Sequence, residues 1–248
     1  MCGIAGFVKF TKNLNNNDLQ KYGLDMSSAL QTRGPDSFGV WADKKSGIVL
    51  SHRRLAVLDL SRNADQPMTS INKRFKIVYN GEIYNFLEIK REIQKSVNLR
   101  TSCDTEVILE AISLWGLSST LKKLNGMFAF ALWDNKEKKL FLARDRIGIK
   151  PLYWYHDKLT FAFSSELKAM SVLPWINFEL DRESFASYVR FNYVPTPNCI
   201  FKNTYKLNPG SFLELSQNYK IKKSTFWSLQ NFATKSAKKK IRKSRKFS

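Results

Sequence analysis

The chain has 248 residues, of which 43% are hydrophobic and 13% aromatic. These fractions exclude a disordered chain, and no apolar run reaches the roughly 18 residues that span a bilayer, so we expect no membrane partner. The formal net charge is +20, but residues 219–248 contain eleven Lys or Arg residues and no acidic residue. Much of the positive charge is therefore concentrated at the C-terminal end.

The first part of the chain alternates strand and helix patterns. Residues 3–10 (GIAGFVKF) predict a strand, and residues 47–60 and 74–83 are also typical of strands. The RGPD sequence at 33–36 is typical of a turn. Residues 18–31 predict a helix, because their apolar residues recur at helical spacing. The apolar face consists of Leu19, Tyr22, Met26 and Leu30.

Two further helices are predicted in the middle of the chain. Residues 85–95 form an amphipathic pattern, and residues 104–116 form a second one. Asp104 is predicted as the N-cap of the second helix, and Gly116 suits its C-terminal end. The buried stripe of this helix is predicted to consist of Val107, Ile108, Ala111, Ile112 and Trp115.

The remaining patterns are mostly hairpins. Residues 127–145 and 151–165 predict hairpins that turn at Asn135–Lys136 and His156–Asp157. Residues 181–191 predict a helix.

A last hairpin is predicted at residues 200–215, with its turn at Asn208–Gly210. Because amphipathic helices accompany antiparallel hairpins, we predict an α+β fold with layered, mostly antiparallel sheets.

Common catalytic motifs are missing from the sequence. It contains no G-x-S-x-G, H-E-x-x-H, G-x-x-x-x-G-K-[ST] or G-x-G-x-x-G pattern. The two histidines, His52 and His156, are too few for a typical His-rich metal site. A dyad of Cys2 with either histidine is possible on paper, but no local pattern favours one.

Cys2 allows two interpretations. It is either a small buried residue at the start of the first strand or a nucleophile. If Met1 is removed, Cys2 gains a free α-amine with an ordinary pKa of about 7.7–8.0. This amine can act as the general base for the neighbouring thiol, and no histidine is then needed.

Asn80 and Gly81 also allow two interpretations. An amide side chain beside an unhindered backbone N–H can form an oxyanion hole, which is worth roughly 3–4 kcal/mol per donor in hydrolases. The alternative is a hairpin turn, because Asn-Gly is a strong turn signal.

The other polar candidates are Arg33, Arg53, Arg54, Glu82 and Asp104. An arginine could bind a substrate carboxylate with two hydrogen bonds, and an aspartate could hold an ammonium group, so that together they would recognise an α-amino acid. The alternatives are surface charge for Arg53 and Arg54 and helix capping for Asp104.

These stretches together resemble the glutaminase domain of glutamine-hydrolysing asparagine synthetases, which are class II glutamine amidotransferases. The resemblance covers residues 2–215. It rests on CGIAGF, RGPDSFG, SHRRLAVLDLS with QPM, VYNGEIYNF, DTEVILEA, GMFAFALWD, ARDRIGIKPLYW and FSSELKAM, in the order and spacing of the family. The resemblance implies the four-layer α/β/β/α sandwich of the N-terminal nucleophile hydrolases, with Cys2 on the first strand.

The resemblance also implies residue roles. The Cys2 thiolate would attack the side-chain amide of L-glutamine, ammonia would leave, and water would hydrolyse the thioester. Asn80 and Gly81 would form the oxyanion hole, and Arg33 would order the site from a turn. The substrate-binding residues would be Arg54, the backbone of Leu55, Ala56, Val57 and Leu58, then Asn80, Gly81, Glu82 and Asp104.

One departure from the family is evident. The S-G-G-x-D-S loop of the ATP-dependent synthetase domain is missing, so we expect no cofactor in this chain, since ATP and Mg would belong to that domain. Residues 216–248 are interpreted as a truncated linker and a basic, disordered tail. The chain would be a truncated product or half of a split enzyme that supplies ammonia to a synthetase partner. The alternative is a catalytically idle domain that binds glutamine or a partner.

The tail and the cysteines suggest partners and location. The basic tail could bind nucleic acid through phosphates, or it could be a non-functional extension. Cys2, Cys103 and Cys199 are odd in number and widely spaced, and there is no signal-peptide pattern. We therefore predict a reduced, cytoplasmic protein.

Overall fold

Twelve strands make up two sheets in the computed structural model, which describes residues 1–234. The strands are β1 (Gly3–Lys9), β2 (Ser37–Asp43), β3 (Ile48–Arg54), β4 (Met68–Thr69), β5 (Phe75–Ile83), β6 (Gly126–Asp134), β7 (Lys139–Arg144), β8 (Tyr153–His156), β9 (Thr160–Ser164), β10 (Thr204–Lys206), β11 (Ser211–Leu215) and β12 (Ile221–Thr225). The first sheet has the order β10-β8-β9-β1-β3-β2, and the second has the order β12-β11-β7-β6-β5-β4. All named strand pairs are antiparallel, as predicted.

Five helices accompany the sheets. They are α1 (Asn16–Ala29), α2 (Phe86–Ile93), α3 (Asp104–Trp115), α4 (Leu117–Lys123) and α5 (Arg182–Phe191). Short 3₁₀ turns cover Gln31–Arg33, Arg62–Ala64 and Leu167–Ala169, and residues 229–234 are helical. No helix within residues 1–234 is long and apolar enough to cross a membrane.

The helices and sheets form four layers. Helix α1 covers the outer face of the first sheet, and α3 covers the outer face of the second. The two sheets face each other across a core that includes Ile4, Leu50, Val78, Ala131 and Phe163. This arrangement confirms the α/β/β/α sandwich, and it brings β1 and β5 together at its centre.

The predicted helices form, with one error in capping. Helix α1 begins with a capping box between Asn15 and Asp18, which satisfies two backbone N–H groups. The N-cap of α3 is Cys103, without a side-chain cap, and Asp104 is the first helical residue. The prediction that Asp104 caps α3 is wrong, because its carboxylate turns to β5 instead.

The hairpin predicted at residues 200–215 does not form. Strand β10 pairs with β8 in the first sheet, whereas β11 pairs with β7 in the second. The turn at Gly210, which has a φ of +62°, therefore carries the chain from one sheet to the other. Leu207 and Leu213 on either side of it both pack in the core between the sheets.

The second sheet extends past the predicted boundary at residue 215. Strand β12 pairs with β11 over five residue pairs, so the interpretation of residues 216–248 as a linker and disordered tail is wrong for residues 221–225. Tyr219, with a φ of +61°, provides the turn, and its ring stacks on Phe10. The predicted tail continues into residues 235–248, which lie outside the described residues.

Candidate active site

A cavity of about 180 Å³ opens where the start of β1 meets the C-terminal half of β5 and the start of α3. The loop after β3 covers one side of it. Most of the predicted site residues line this cavity: Cys2, Arg54, Leu55, Val57, Leu58, Asn80, Gly81, Glu82 and Asp104.

Cys2 is held at the start of β1 by both its thiol and its backbone. The sulfur accepts a hydrogen bond from the backbone N–H of Leu55 at 3.3 Å. The carbonyl oxygen of Cys2 accepts one from Nε of Arg33 at 2.9 Å, and Arg33 also forms an ion pair with Glu166 at 2.9 Å. A side chain on Gly3 would lie 3.0 Å from Cβ of Leu30, so glycine allows this close packing.

Burial favours the protonated form of the Cys2 thiol. Burial raises the pKa of Cys2, although the Leu55 N–H and the chain's N-terminal charge act against it. A nucleophilic role therefore needs a base. His52 does not supply it, because its Nε2 lies 3.1 Å from the Tyr79 carbonyl oxygen and burial lowers its pKa to about 4.

Asn80 and Gly81 lie inside β5, opposite Ala129 and Phe128 of β6, so the turn interpretation is wrong. The side chain of Asn80 is buried, and its Nδ2 has no hydrogen-bond partner within residues 1–234. Leaving a buried donor unsatisfied costs about 1–3 kcal/mol, so the amide is poised to donate to a molecule in the cavity. A side chain at Gly81 would meet the Met127 carbonyl and lie 2.8 Å from the Phe128 Cα.

Asp104 is the buried carboxylate of the cavity. It accepts hydrogen bonds from the Tyr79 hydroxyl at 2.7 Å and from the Ile83 N–H at 3.0 Å. Burial raises the pKa of Asp104 above its ordinary value, against these hydrogen bonds. Glu82 lies near enough to raise it further, so the two carboxylates make this wall favourable for a cation.

Arg54 is buried and lines the same cavity, which excludes the surface-charge interpretation. Its Nη1 donates to Asp65 and to the Ser61 carbonyl, both at 2.9 Å, and its Nη2 donates to the Asp59 carbonyl. These bonds fold the loop of residues 55–65 around the guanidinium. Since arginine has five N–H donors, two remain for a ligand.

Two predicted residues lie beside the cavity instead of lining it. The backbone N–H of Ala56 donates to Asp36 at 2.8 Å, so Ala56 faces the predicted RGPD turn. Arg33 reaches the site only through the Cys2 carbonyl. Arg53 points away, and its Nε donates to the carbonyl oxygen of Ser27.

A family model for the glutamine amidotransferase domain matches residues 1–227. The chain belongs to the glutamine amidotransferase family. It is 36% identical to asparagine synthetase (glutamine-hydrolyzing) 3 of Bacillus subtilis, over 88% of this chain and 35% of that protein. It is 34% identical to asparagine synthetase (glutamine-hydrolyzing) 1 of the same organism, over 85% of this chain and 33% of that protein. A Methanocaldococcus jannaschii relative is 36% identical, over 97% of this chain and 49% of its own length.

This amidotransferase chain thus spans between a third and a half of the length of these relatives. Among solved structures, it is similar to glutamine phosphoribosylpyrophosphate amidotransferase from B. subtilis. The TM-score is 0.65 at 20% sequence identity, over 91% of this chain and 49% of that one. This likeness confirms the predicted fold, that of the N-terminal nucleophile hydrolases.

Gln66 and Lys150 also line the cavity, and the sequence did not single them out. Gln66 accepts a hydrogen bond from the Tyr79 N–H at 2.6 Å and donates to the Thr105 hydroxyl at 3.3 Å, which ties α3 to β5. Lys150 is 4% exposed, and its Nζ lies 3.1 Å from Sδ of Met1. Both belong to stretches that carried the resemblance, QPM and GIKPLYW, but neither stretch by itself points to the cavity.

No group of three His, Cys, Asp or Glu side chains in the described part of the chain is arranged to hold a metal ion. The cavity is lined by the thiols of Cys2 and Cys103, the Asn80 amide that has no partner within residues 1–234, the carboxylates of Asp59, Glu82 and Asp104, the Arg54 guanidinium and the Lys150 ammonium group. This set can bind both charged ends of an α-amino acid and offer a nucleophile to its side chain.

Proposed function

We propose that this chain hydrolyses L-glutamine to glutamate and ammonia, as the glutaminase part of an asparagine synthetase-type enzyme. The observation that carries the proposal is the unpartnered Nδ2 of Asn80 in the same cavity as the Cys2 thiol. A buried amide donor beside a nucleophile is what an acyl-transfer reaction requires.

The reaction begins with removal of Met1, which frees the α-amine of Cys2. The amine takes the thiol proton, and the thiolate attacks the side-chain amide carbon of glutamine. Asn80 Nδ2 and the Gly81 N–H donate to the oxyanion that forms. The α-ammonium returns its proton to the leaving nitrogen, ammonia departs, and water then hydrolyses the glutamyl thioester to glutamate.

Recognition of glutamine uses charged groups of both signs that line the cavity. The free N–H groups of Arg54, with the backbone of Val57 and Leu58, bind the α-carboxylate, since the N–H groups of Leu55 and Ala56 are already bonded. Asp104 and Glu82 bind the α-ammonium group. Separate binding of the two charged ends orients the substrate so that its side-chain amide points towards Cys2.

The test is glutamate release by the mature chain, with Met1 removal verified by intact mass. We expect turnover in the wild type and in Cys199→Ala, a matched control because Cys199 is buried outside the cavity lining. Cys2→Ala should abolish turnover, and so should a chain that keeps Met1, because its Cys2 nitrogen is an amide and no base. Glutamine binding by calorimetry without glutamate release would instead make this a non-catalytic binding domain.

The ammonia acceptor belongs to the same proposal. The named B. subtilis relatives are asparagine synthetases, and the match covers 35% and 33% of their length. We therefore propose that ammonia passes to a synthetase domain or subunit that amidates aspartate or a related carboxylate. ATP and Mg would act there, and no cofactor is needed for glutamine hydrolysis. Incubation with amide-¹⁵N glutamine, aspartate and Mg-ATP should yield labelled ammonia, and labelled asparagine would contradict the proposal.

We also propose that the enzyme works in the cytoplasm. Cys2, Cys103 and Cys199 are all free thiols, which suits a reducing compartment. Fractionation of cells that express the tagged chain should recover it with cytosolic marker proteins.

A further inference from the structure

Lys150 is a buried lysine in the wall of the proposed active site. It lies in the connection between β7 and β8, is 4% exposed and lines the same cavity as Cys2. Its Nζ lies 3.1 Å from Sδ of Met1, the residue that precedes the proposed nucleophile. Lysine is rarely buried to this extent without a charged partner.

Among the described residues, Lys150 has no such partner. Within residues 1–234 its ammonium group forms no ion pair with a carboxylate. The nearby Asp145 accepts hydrogen bonds from the backbone N–H groups of Phe128, Ile149 and Lys150, at 3.2, 2.9 and 3.0 Å, and so holds the loop backbone. The charge of Lys150 is therefore left to act on the cavity.

Several charged groups surround this ammonium. Burial and the neighbouring Arg33 lower the pKa of Lys150, while Cys2, Asp145 and Glu82 act in the opposite direction. Lys150 thus lies within electrostatic range of the Cys2 thiol.

The groups that face Cys2 itself are of both signs. Arg54 and the N-terminal amine favour its thiolate, and Asp104 opposes it. Arg33 adds a second guanidinium at the Cys2 carbonyl. Since Arg33 pairs with Glu166 and Arg54 pairs with Asp65, Lys150 is the side-chain cation near Cys2 that has no carboxylate partner within residues 1–234.

We propose that Lys150 is a positioning residue for the nucleophile. Its buried positive charge promotes loss of the first proton from the N-terminal cysteine of the mature chain. This sets the pH at which the nucleophile becomes reactive. This inference rests on the proposed function. A nearby cation disfavours the α-ammonium and favours the thiolate, so whichever group releases the proton, the release occurs at lower pH. A unit charge in a partly buried site shifts such an equilibrium by about 1 pH unit.

The test is the pH dependence of Cys2 alkylation by iodoacetamide in the mature chain, followed by mass spectrometry of the N-terminal peptide. Lys150→Met removes the charge and keeps a side chain of similar length, Lys150→Gln is a second neutral variant, and Lys150→Arg keeps the charge. Lys45→Met is the matched control, because it removes an exposed charge from the turn between β2 and β3.

We expect the alkylation midpoint of both neutral variants to rise by about 1 pH unit, while Lys150→Arg and Lys45→Met stay near the wild type. An unchanged midpoint in the neutral variants, or an equal shift in Lys45→Met, would overturn the proposal. Thermal unfolding of each variant separates a charge effect from loss of packing, which would lower reactivity without moving the midpoint. Alkylation needs no turnover, so failure here is distinct from failure to hydrolyse glutamine.

Discussion

Asp104 and Glu106 lie two residues apart at the start of α3, and both are buried, at 5% and 0% exposed. Glu106 accepts hydrogen bonds from Arg100 and Thr101 at 2.7–2.9 Å, which outweigh burial and lower its pKa. Asp104 has no cationic partner within residues 1–234, so burial raises its pKa. One carboxylate is used to hold the fold together, and the other remains available to a ligand.

The two ends of the second sheet show the same contrast between a polar group with a partner and one without. Asp134, at the end of β6 far from the cavity, binds Arg74 at 2.7 and 3.1 Å and also accepts backbone N–H groups. Asn80, at the cavity end of β5, has an amide with no partner among the described residues. The Asn80 amide thus lacks a partner where we propose the reaction, at a cost in stability.

Asn80→Ala should lower activity without lowering stability, and we expect this to be the largest effect among these variants. We expect glutaminase kcat to fall by about 10²–10³-fold, because one oxyanion donor is lost. The free energy of unfolding should stay constant or rise, because the unpaired buried amide is removed. Steady-state kinetics and urea unfolding measure the two quantities.

A fall in the stability of Asn80→Ala, with kcat unchanged, would mean that this amide is structural. The matched control is Asn72→Ala, which removes a hydrogen-bonded asparagine outside the cavity. It should leave kcat at the wild-type value.

Asp104→Asn should weaken glutamine binding. We expect KM to rise about 10–100-fold, since a hydrogen bond to a charged group contributes about 1.5–3 kcal/mol. Stability should not fall, because the substitution removes a buried charge without a cationic partner. An unchanged KM would show that the α-ammonium group is bound elsewhere.

Glu106→Ala, on the same helix, should lower stability and leave glutamine binding nearly unchanged. It removes the acceptor for Arg100 and Thr101 and should lower the free energy of unfolding by about 2–4 kcal/mol. The KM for glutamine should stay within about threefold of the wild type at a temperature where the variant is folded. A large rise in KM with little loss of stability would erase the distinction between the two carboxylates.

The pH dependence of stability should also have opposite signs at the two positions. The pKa of Glu106 is lowered on folding, so its contribution is full above the unfolded value and is lost as pH falls through the folded one. The pKa of Asp104 is raised, so its ionisation destabilises the fold as pH rises. Urea unfolding between about pH 3 and 6 should show a flatter dependence in Glu106→Gln and a steeper one in Asp104→Asn.

If both of these isosteric variants change the pH dependence in the same direction, the assignment of the two shifts is wrong. The comparison is internal, because each variant serves as the other's control on one helix.

Local sequence patterns predicted where helices and strands form better than which strands pair with each other. The alternation of residues 3–10 and the helical spacing of 18–31 are local properties, and both elements formed. Asn208–Gly210 correctly marks a turn, but turn chemistry does not say which sheet receives the next strand. Residues 221–225 were not recognised as a strand, because their pairing with β11 is a tertiary property.

The site was predictable only where the family resemblance supplied roles. In isolation, the Asn80–Gly81 sequence is typical of a turn. Only its pairing with β6 makes it part of a strand. Asp104 is suited to helix capping by residue type, whereas its real partner Tyr79 lies 25 residues away in sequence. Lys150 could not be found from local pattern at all, because its contact to Met1 spans 149 residues.

The most direct test of the central claim is to trap the glutamyl thioester. The mature chain is quenched in acid during turnover, and the N-terminal peptide is analysed by mass spectrometry. We predict one glutamyl group on Cys2 in the wild type, none in Cys2→Ala, and one in Cys199→Ala. Glutamate release without any adduct at Cys2, or an adduct on another residue, would contradict the assignment of Cys2 as the nucleophile.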